Sequence, residues 1–504
     1  DYVPLGILLF QEKCRLKQID TQYITINESE EEIKNWISSL NNGDIVVFPI
    51  YHDPFPLINT IINLIRETKK EIQLLAAGNL AIERPKVTLE SIDVDDIIIS
   101  NSYPFLTYKE YLNNDDINID DYKITSDKIN GEYYFNPHTK TLEIIPGSTY
   151  QDCKNTCSYC YLQNFKKDLI KLNTFYFDID HILNMIPEYN EECHGDMGIT
   201  LFYDNIFAKF KSVSEIKENL DIIYNKFPFK RISLYSCAFD FIKNKEDLHL
   251  LKNNKYKIAF RIGLESFSQT QLERYNKKVL HYNKEIIKYF SSKDNVGFEL
   301  GALFLIFDPW VTPEEIYETY SWFKKIPSSA VSCVFYGGMI SILPTRTWVP
   351  YFNTKMYNKA LDDNLLNQLN LNEFGIYIEE EDEMEDVNVN PGKKVKWKFE
   401  NEDSGKIYDK LKRWQMFYFE HLIGLTEPIK NVYNSCLGCV GKKGWHRREF
   451  EIIEDKVLDW LQNYSSSDKN ENSSKEKSIE EDLKLLSTKV KKEVDELLKE
   501  IKQI

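Results

Sequence analysis

The 504-residue chain is poor in cysteine, with nine in all, at 14, 153, 157, 160, 193, 237, 333, 436 and 439. An odd count, with five of the nine in two tight clusters, argues against a disulfide framework. It favours metal ligation in a reducing compartment, so a cytoplasmic protein is expected. Long apolar runs are also missing. A stretch such as "LFLIF" at 303–307 falls far short of the ~20 residues of a membrane span, so no membrane partner is expected. No charged-then-apolar leader opens the chain. It begins abruptly at Asp1, and native residues are expected upstream.

Positive charge is in deficit. Sixty-three Lys and Arg face 79 Asp and Glu, for a net charge of −16. A nucleic-acid binder needs a basic stripe against phosphate. Here acidic runs such as "EEEDEMED" (379–386) dominate, and the basic patch "GKKGWHRR" (441–448) reads as solvated surface. Nucleic acid is therefore not an expected partner. The eight His are scattered without ligand spacing.

What is present is alternation. In residues 1–105, amphipathic helices ("SEEEIKNWISSLN", "PLINTIINLIRETKK") alternate with apolar strands ("DIVVFPIY", "EIQLLAAGN", "DDIIISN"). That rhythm predicts a doubly wound, Rossmann-like α/β unit. Residues 106–140 are polar and acidic and read as a connector, with a hairpin near "GEYYFNPHTKTLEI". Alternation resumes over 141–349. Six strands are expected, at 141–145, 198–203, 231–236, 257–265, 297–307 and 332–343. Crossovers long enough for helices predict a parallel sheet curled into a partial (β/α)6 barrel, with chemistry at the strand C-termini. Residues 350–462 read as an irregular, mostly α C-terminal region that could shape a substrate cleft. Residues 463–504 read as a Ser/Asn/Lys-rich linker and then, from about 478, a helix with an apolar stripe at Ile479, Leu483, Leu486, Val490, Val494, Leu497 and Ile501. Docking on the body is the expected role of that stripe.

Cys153, Cys157 and Cys160 crowd into "CKNTCSYC", eight residues after the first strand of the barrel. A structural zinc site takes four closed ligands, usually as two C-x2-C pairs. Three thiolates on one loop, plus the distant Cys436 and Cys439, overfill such a site. Three thiolates suit a [4Fe–4S] cluster whose fourth iron lacks a protein ligand and can bind a substrate or cofactor.

With aromatic Tyr159 directly before the third cysteine, "CKNTCSYC" resembles the signature of the radical S-adenosylmethionine (SAM) superfamily. The resemblance implies that the open iron chelates SAM, and that one electron cleaves SAM to methionine and a 5′-deoxyadenosyl radical that takes a hydrogen atom from substrate. It also implies an electron donor such as flavodoxin or ferredoxin. "RIGLESFSQTQLERYNK" (261–277) and "GALFLIFDPWVTPEEI" (301–316) are similar to segments of the subgroup that carries an N-terminal cobalamin-binding domain. On that likeness Tyr159 belongs to the SAM site. Asp204 would accept from the SAM ammonium, Glu265 and Ser266 would reach SAM, and Arg261 would pair a carboxylate.

The first hundred residues resemble that subgroup's cobalamin domain, whose first strand would lie upstream of Asp1. Tyr51, His52, Gly78 and Asn101, at strand ends, are the implied cobalamin contacts. The D-x-H-x-x-G loop that supplies an axial His in many cobalamin proteins is absent. If cobalamin binds, the family implies methyl transfer to an unactivated carbon of a peptide or small molecule. Without it, peptide crosslinking or epimerisation is the expected outcome. Cys237, closing the third strand, would suit a hydrogen donor. Cys436 and Cys439 read as a possible second metal site or redox pair, and Cys14, Cys193 and Cys333 as structural. Two alternatives stay open: a methylthiotransferase acting on tRNA, and a non-enzymatic iron–sulfur redox sensor.

Overall fold

A computed structural model describes residues 14, 18–22, 30–50, 55–68, 70–78, 81, 85–99, 106–113, 133–136, 141–144, 156–160, 198–201, 205–277, 280–292, 295, 297–326, 347–348, 354–366, 397–420, 447–464 and 469–501.

Two sheets organise these residues. The first is a parallel sheet in the order β1 (Ile45–Pro49), β2 (Gln73–Ala77), β3 (Asp96–Ile97). Helix Phe55–Glu67 joins β1 to β2 and buries Ile58, Ile61, Ile62 and Ile65, a single stripe at helical spacing. Its last turn carries Arg66, which pairs with Asp95 at 2.8 Å and Asp93 at 3.4 Å and ties the helix to the approach to β3. Ile50, Leu74, Ala76 and Ile97 fill the core of this unit.

The second sheet runs β4 (Tyr133–Asn136), β5 (Thr141–Ile144), β6 (Gly198–Leu201), β7 (Arg231–Cys237), β8 (Lys257–Glu265), β9 (Glu299–Phe304). The β4–β5 pair is antiparallel and the remaining pairs are parallel. The order follows the chain, so each crossover links neighbouring strands, as βα units do when they advance in one direction around a sheet. The expected α/β organisation is present. The sixth expected strand, at 332–343, lies outside the described residues. The stretch 106–140, expected as a connector, carries structure at both ends. Tyr108–Asn113 is a helix whose Tyr108 enters the first core, and Tyr133–Asn136 forms the predicted hairpin as an edge strand of the second sheet.

β6 to β9 largely alternate, with Ala259, Leu303 and Ser236 as exceptions. Ile199, Leu201, Ile232, Leu234, Ile258, Phe260, Ile262, Leu264, Leu300, Ala302 and Phe304 enter one apolar core. The alternate positions include Thr200, Arg231, Ser233, Tyr235, Cys237, Arg261, Gly263, Glu265 and Glu299. A parallel sheet packed on both faces reads as near-continuous apolar runs. Here one face is polar, and Arg231 and Glu299 form an ion pair. That polar face leads to Cys237 and Glu265 at the C-terminal strand ends.

The C-terminal helices share this core. Trp397, Trp414 and Trp460 are fully buried, as are Ile479 and Leu483 of the last helix. That helix starts at Lys469, not near 478, and runs to Ile501. It is longer than its linker-like composition suggests because its early residues already have partners. Glu476 accepts from Trp460 at 3.3 Å and Glu480 from Trp414 at 3.3 Å, while Lys410 pairs with both carboxylates. No helix among the described residues is long and apolar enough to cross a membrane.

Candidate active site

The site is built around the cysteine loop, residues 156–160. Cys157 is buried and Cys160 half-buried, and neither is in a disulfide. The Cys160 N–H donates to the Cys157 carbonyl at 3.1 Å, which closes the turn between them. The loop is clamped to the end of helix Gln269–Arg274. A helix leaves its last carbonyls without internal partners. Ser158 takes up those that follow, its N–H donating to the Tyr275 carbonyl at 3.0 Å and its hydroxyl to the Arg274 carbonyl at 2.6 Å. Asn276 returns the bond, its amide donating to the Thr156 carbonyl and hydroxyl at 2.7 Å each. Asn276 has φ of 55°, a left-handed conformation that Asn tolerates.

Beneath the clamp lies Asp308, at the exit of β9 and fully buried. It accepts from the Tyr275 hydroxyl at 2.7 Å, the Gln271 amide at 2.9 Å and the Trp310 N–H at 2.9 Å. Arg274 pairs with it at 3.2 Å and with Glu315 at 2.7 Å. Glu315 also closes a capping box with Thr312 at the start of helix Pro313–Phe323. The segment "FDPWVTPEE" thus fixes the helix end that fixes the cysteine loop.

Above the loop, Tyr159 reaches the sheet. Its hydroxyl donates to Glu265 Oε1 at 3.0 Å, and Lys277 Nζ meets the same oxygen at 2.6 Å. Glu265 ends β8 with φ of 60°, where the register with β9 slips between Gly263 and Glu265. Such strained backbone gathers at functional sites. Gly263 makes the approach possible, since a Cβ there would lie 2.7 Å from Glu265 Oε1 and 3.2 Å from Lys277 Nζ. Burial, followed by the Glu265 charge, holds the Tyr159 phenol well above its ordinary pKa. Burial pulls Lys277 down, yet the Glu265 carboxylate and the Cys157 sulfur carry it above the usual lysine range. The phenol is therefore neutral and the lysine a cation.

Cys237 closes β7, in register with Gly263 of β8. Its thiol donates to Asp240 Oδ2 at 3.0 Å. The Asn205 amide donates to the same oxygen at 2.5 Å and lies 3.6 Å from the sulfur. Burial, then the bond to Asp240, pushes the thiol up to about 12. Cys237 is a neutral S–H group. Arg261 lies on the same strand face as Gly263, its guanidinium donating to the Tyr235 hydroxyl at 2.6 Å. The register aligns Tyr235, Arg261 and Gly301 across three strands. A Cβ at Gly301 would lie 3.1 Å from Arg261 Cγ, so this glycine gives the arginine stem its room.

Tyr159, Glu265, Cys157 and Cys160 are thus brought together, with Cys237 and Arg261 on the adjoining polar strand face. Ser266 is turned elsewhere. It is fully buried, its hydroxyl bonded to Thr319 at 2.9 Å and accepting from the Ser268 N–H at 2.9 Å. Cys153, Asp204, Tyr51, His52, Asn101, Cys436 and Cys439 lie outside the described residues. Among the described residues no three His, Cys, Asp or Glu converge as a metal site. Gly78 has φ of 96°, and a Cβ there would meet the Ile50 carbonyl at 2.7 Å, so the packing of β2 on the end of β1 already requires glycine. Sequence reasoning gave no role to Lys277, Asn205, Asp240 or Gly263. The residues "NK" at 276–277 and Asn205 beside Asp204 were the available signals.

No family model and no curated protein matches the chain. Solved structures do. One is titled as the cobalamin-dependent S-adenosylmethionine radical enzyme OxsB with aqua-cobalamin bound. It aligns at a TM-score of 0.58 and 13% identity, over 97% of this chain and 78% of that one. A second, the same enzyme with aqua-cobalamin and S-adenosylmethionine bound, aligns at 0.54 and 14%, over 99% and 78%. The chain shares their fold. That likeness of fold covers nearly the whole chain.

Proposed function

We propose that the chain is a radical SAM enzyme, with Cys153, Cys157 and Cys160 holding a [4Fe–4S] cluster. The observation that carries this reading is the joining of the cysteine loop to the end of β8 through Tyr159, Glu265 and Lys277. The donor set fits the group: Cys157 and Cys160 are free thiols, one buried and one half-buried, on a loop held from outside by Arg274, Tyr275 and Asn276. When bound, the cluster supplies the electron that cleaves SAM to methionine and a 5′-deoxyadenosyl radical.

The chain's own residues bind and orient. Glu265 offers a carboxylate fixed by a strained backbone, Asp204 a second acceptor for the SAM ammonium, and Arg261 a buried cation for a carboxylate. Ser266 supports the turn after β8 by bonding Thr319. Anaerobic reconstitution with iron and sulfide tests the reading. Reduced protein with SAM is expected to release 5′-deoxyadenosine, and Cys157→Ala and Cys160→Ala to abolish it. An intact cluster that never cleaves SAM would overturn the enzyme in favour of an iron–sulfur redox sensor. A low-potential donor of the flavodoxin or ferredoxin kind would supply the electron in the cell.

The fold likeness to a cobalamin-bound enzyme, with three parallel strands ahead of the barrel sheet, supports a corrinoid site in the first unit. Retained cobalt and the visible spectrum after incubation with hydroxocobalamin decide it. With cobalamin the outcome is C-methylation of a peptide or small molecule, and without it crosslinking or epimerisation. The neutral Cys237 thiol favours epimerisation among the latter, because the protonated thiol is the form that can give up a hydrogen atom.

A further inference from the structure

We propose that Lys277 sets the local charge at the cysteine loop and so raises the reduction potential of an iron–sulfur cluster held there; this rests on the function proposed above. Reduction adds one negative charge to a cluster already ligated by thiolates. Its potential follows the net charge, hydrogen bonding and exposure of its surroundings. The carboxylate joined to the loop through Tyr159 is Glu265, whose side chain is only 13% exposed. Alone, that carboxylate would oppose the incoming electron through a poorly screening interior. Lys277, 12% exposed, sits on it at 2.6 Å. The lysine is placed there by three features. Asn276 turns the chain back in the left-handed conformation, Gly263 leaves the space, and the Gly263 carbonyl lies 3.5 Å from the ammonium.

The charge is also directed at the loop. Lys277 Nζ lies 6.0 Å from the centre of the ring of Tyr159, which stands between Cys157 and Cys160 in the chain. Glu265 is bound from both sides, by Lys277 and by Tyr159, so its negative charge is largely answered before any ligand arrives. No bond forms or breaks in the step considered. A low-potential one-electron donor gives up one electron and the cluster accepts it.

An ion pair that only pinned the loop would be damaged alike by loss of either partner. A charge-setting pair behaves differently. Dye-mediated titration with dithionite, without SAM and followed by electron paramagnetic resonance, separates the two. Lys277→Met should lower the potential, and Glu265→Gln should raise it. A tenfold shift in the reduction equilibrium, ~59 mV for a one-electron couple, is the expected size of each. The double variant should return close to the wild type. If Lys277→Met holds no cluster, Glu265→Gln alone decides: a raised potential supports the proposal, and an unchanged or lowered one overturns it. Shifts in the same direction, or none, in loaded protein also overturn it, while SAM cleavage by the wild type keeps the function intact. A wild-type chain that binds no cluster overturns both.

Discussion

The phenol of Tyr159 and the carboxylate of Glu265 lie 106 residues apart in the chain and 3.0 Å apart in space. That bond couples the cysteine loop to the end of β8. A hydrogen bond to a charged acceptor contributes ~1.5–3 kcal/mol. Tyr159→Phe removes the donor and keeps the ring against Tyr275, whose centroid is 5.4 Å away. Urea unfolding should show a loss in that range, and iron should leave the reconstituted variant faster under a chelator. An unchanged chelation rate would mean that the loop is held by Ser158 and Asn276 alone.

Gly263→Ala tests the space that the pair occupies. The new methyl would sit 2.7 Å from Glu265 Oε1, so the carboxylate and Lys277 must part or the strand must shift. Overpacking of this kind costs ~1–3 kcal/mol. SAM affinity, read by equilibrium binding, should fall at least tenfold while iron content is kept. Gly301→Ala is the comparison, because its methyl would press on the Arg261 stem at 3.1 Å and leave Glu265 untouched.

Cys237 should be inert as a nucleophile. Its thiol is pushed from 9.0 up to about 12, first by burial and then by the bond to Asp240. The neutral form is favoured in the folded state, so the contribution to stability is present below pH ~9 and is lost as pH rises towards 12. Iodoacetamide should modify Cys237 slowly at pH 8, measured by peptide mass. Asp240→Asn removes the nearby charge and should speed that modification. Fast labelling of the wild type would show the thiol to be ionised and remove the argument for a held hydrogen atom.

Asp308→Asn attacks the platform rather than the site. It leaves Arg274 with Glu315 alone and turns a buried acceptor of several donors into a neutral amide. Breaking a buried pair from one side costs ~3–5 kcal/mol. The unfolding midpoint should drop accordingly, and iron loss should accelerate without any change in the residues that face the loop.

Much of the fold was legible because β7, β8 and β9 alternate at period two, and "KIAFRIGLE" was bounded correctly at both ends. The close spacing of Cys157 and Cys160 was legible, and the two share one turn. Lys277 was not. Its role depends on a register slip at Gly263 and a left-handed turn at Asn276, which bring it back to a carboxylate 12 residues earlier. Neither feature has a local sequence signature strong enough to fix a side-chain contact. Ser266 shows the converse: adjacent to Glu265 in the chain, it points to the opposite side of the strand end and is absorbed by Thr319.

The start of the last helix was hidden for a related reason. "KNENSSKEK" has the composition of a linker, but tertiary partners override local propensity. Glu476 and Glu480, one turn apart, reach Trp460, Trp414 and Lys410, and Ile479, Leu483 and Leu486 are buried between them. Leu483→Ala leaves a cavity in that seam and should cost ~2–5 kcal/mol. Unfolding should shift by that amount, and Trp460 emission should move to the red as the seam loosens. The described contacts of this helix include none to Tyr159, Glu265 or Lys277. SAM affinity of the folded variant should therefore stay within twofold of the wild type. A large loss of affinity would mean that the docked helix shapes the site, and that the C-terminal region is part of the binding machinery and not only of its support.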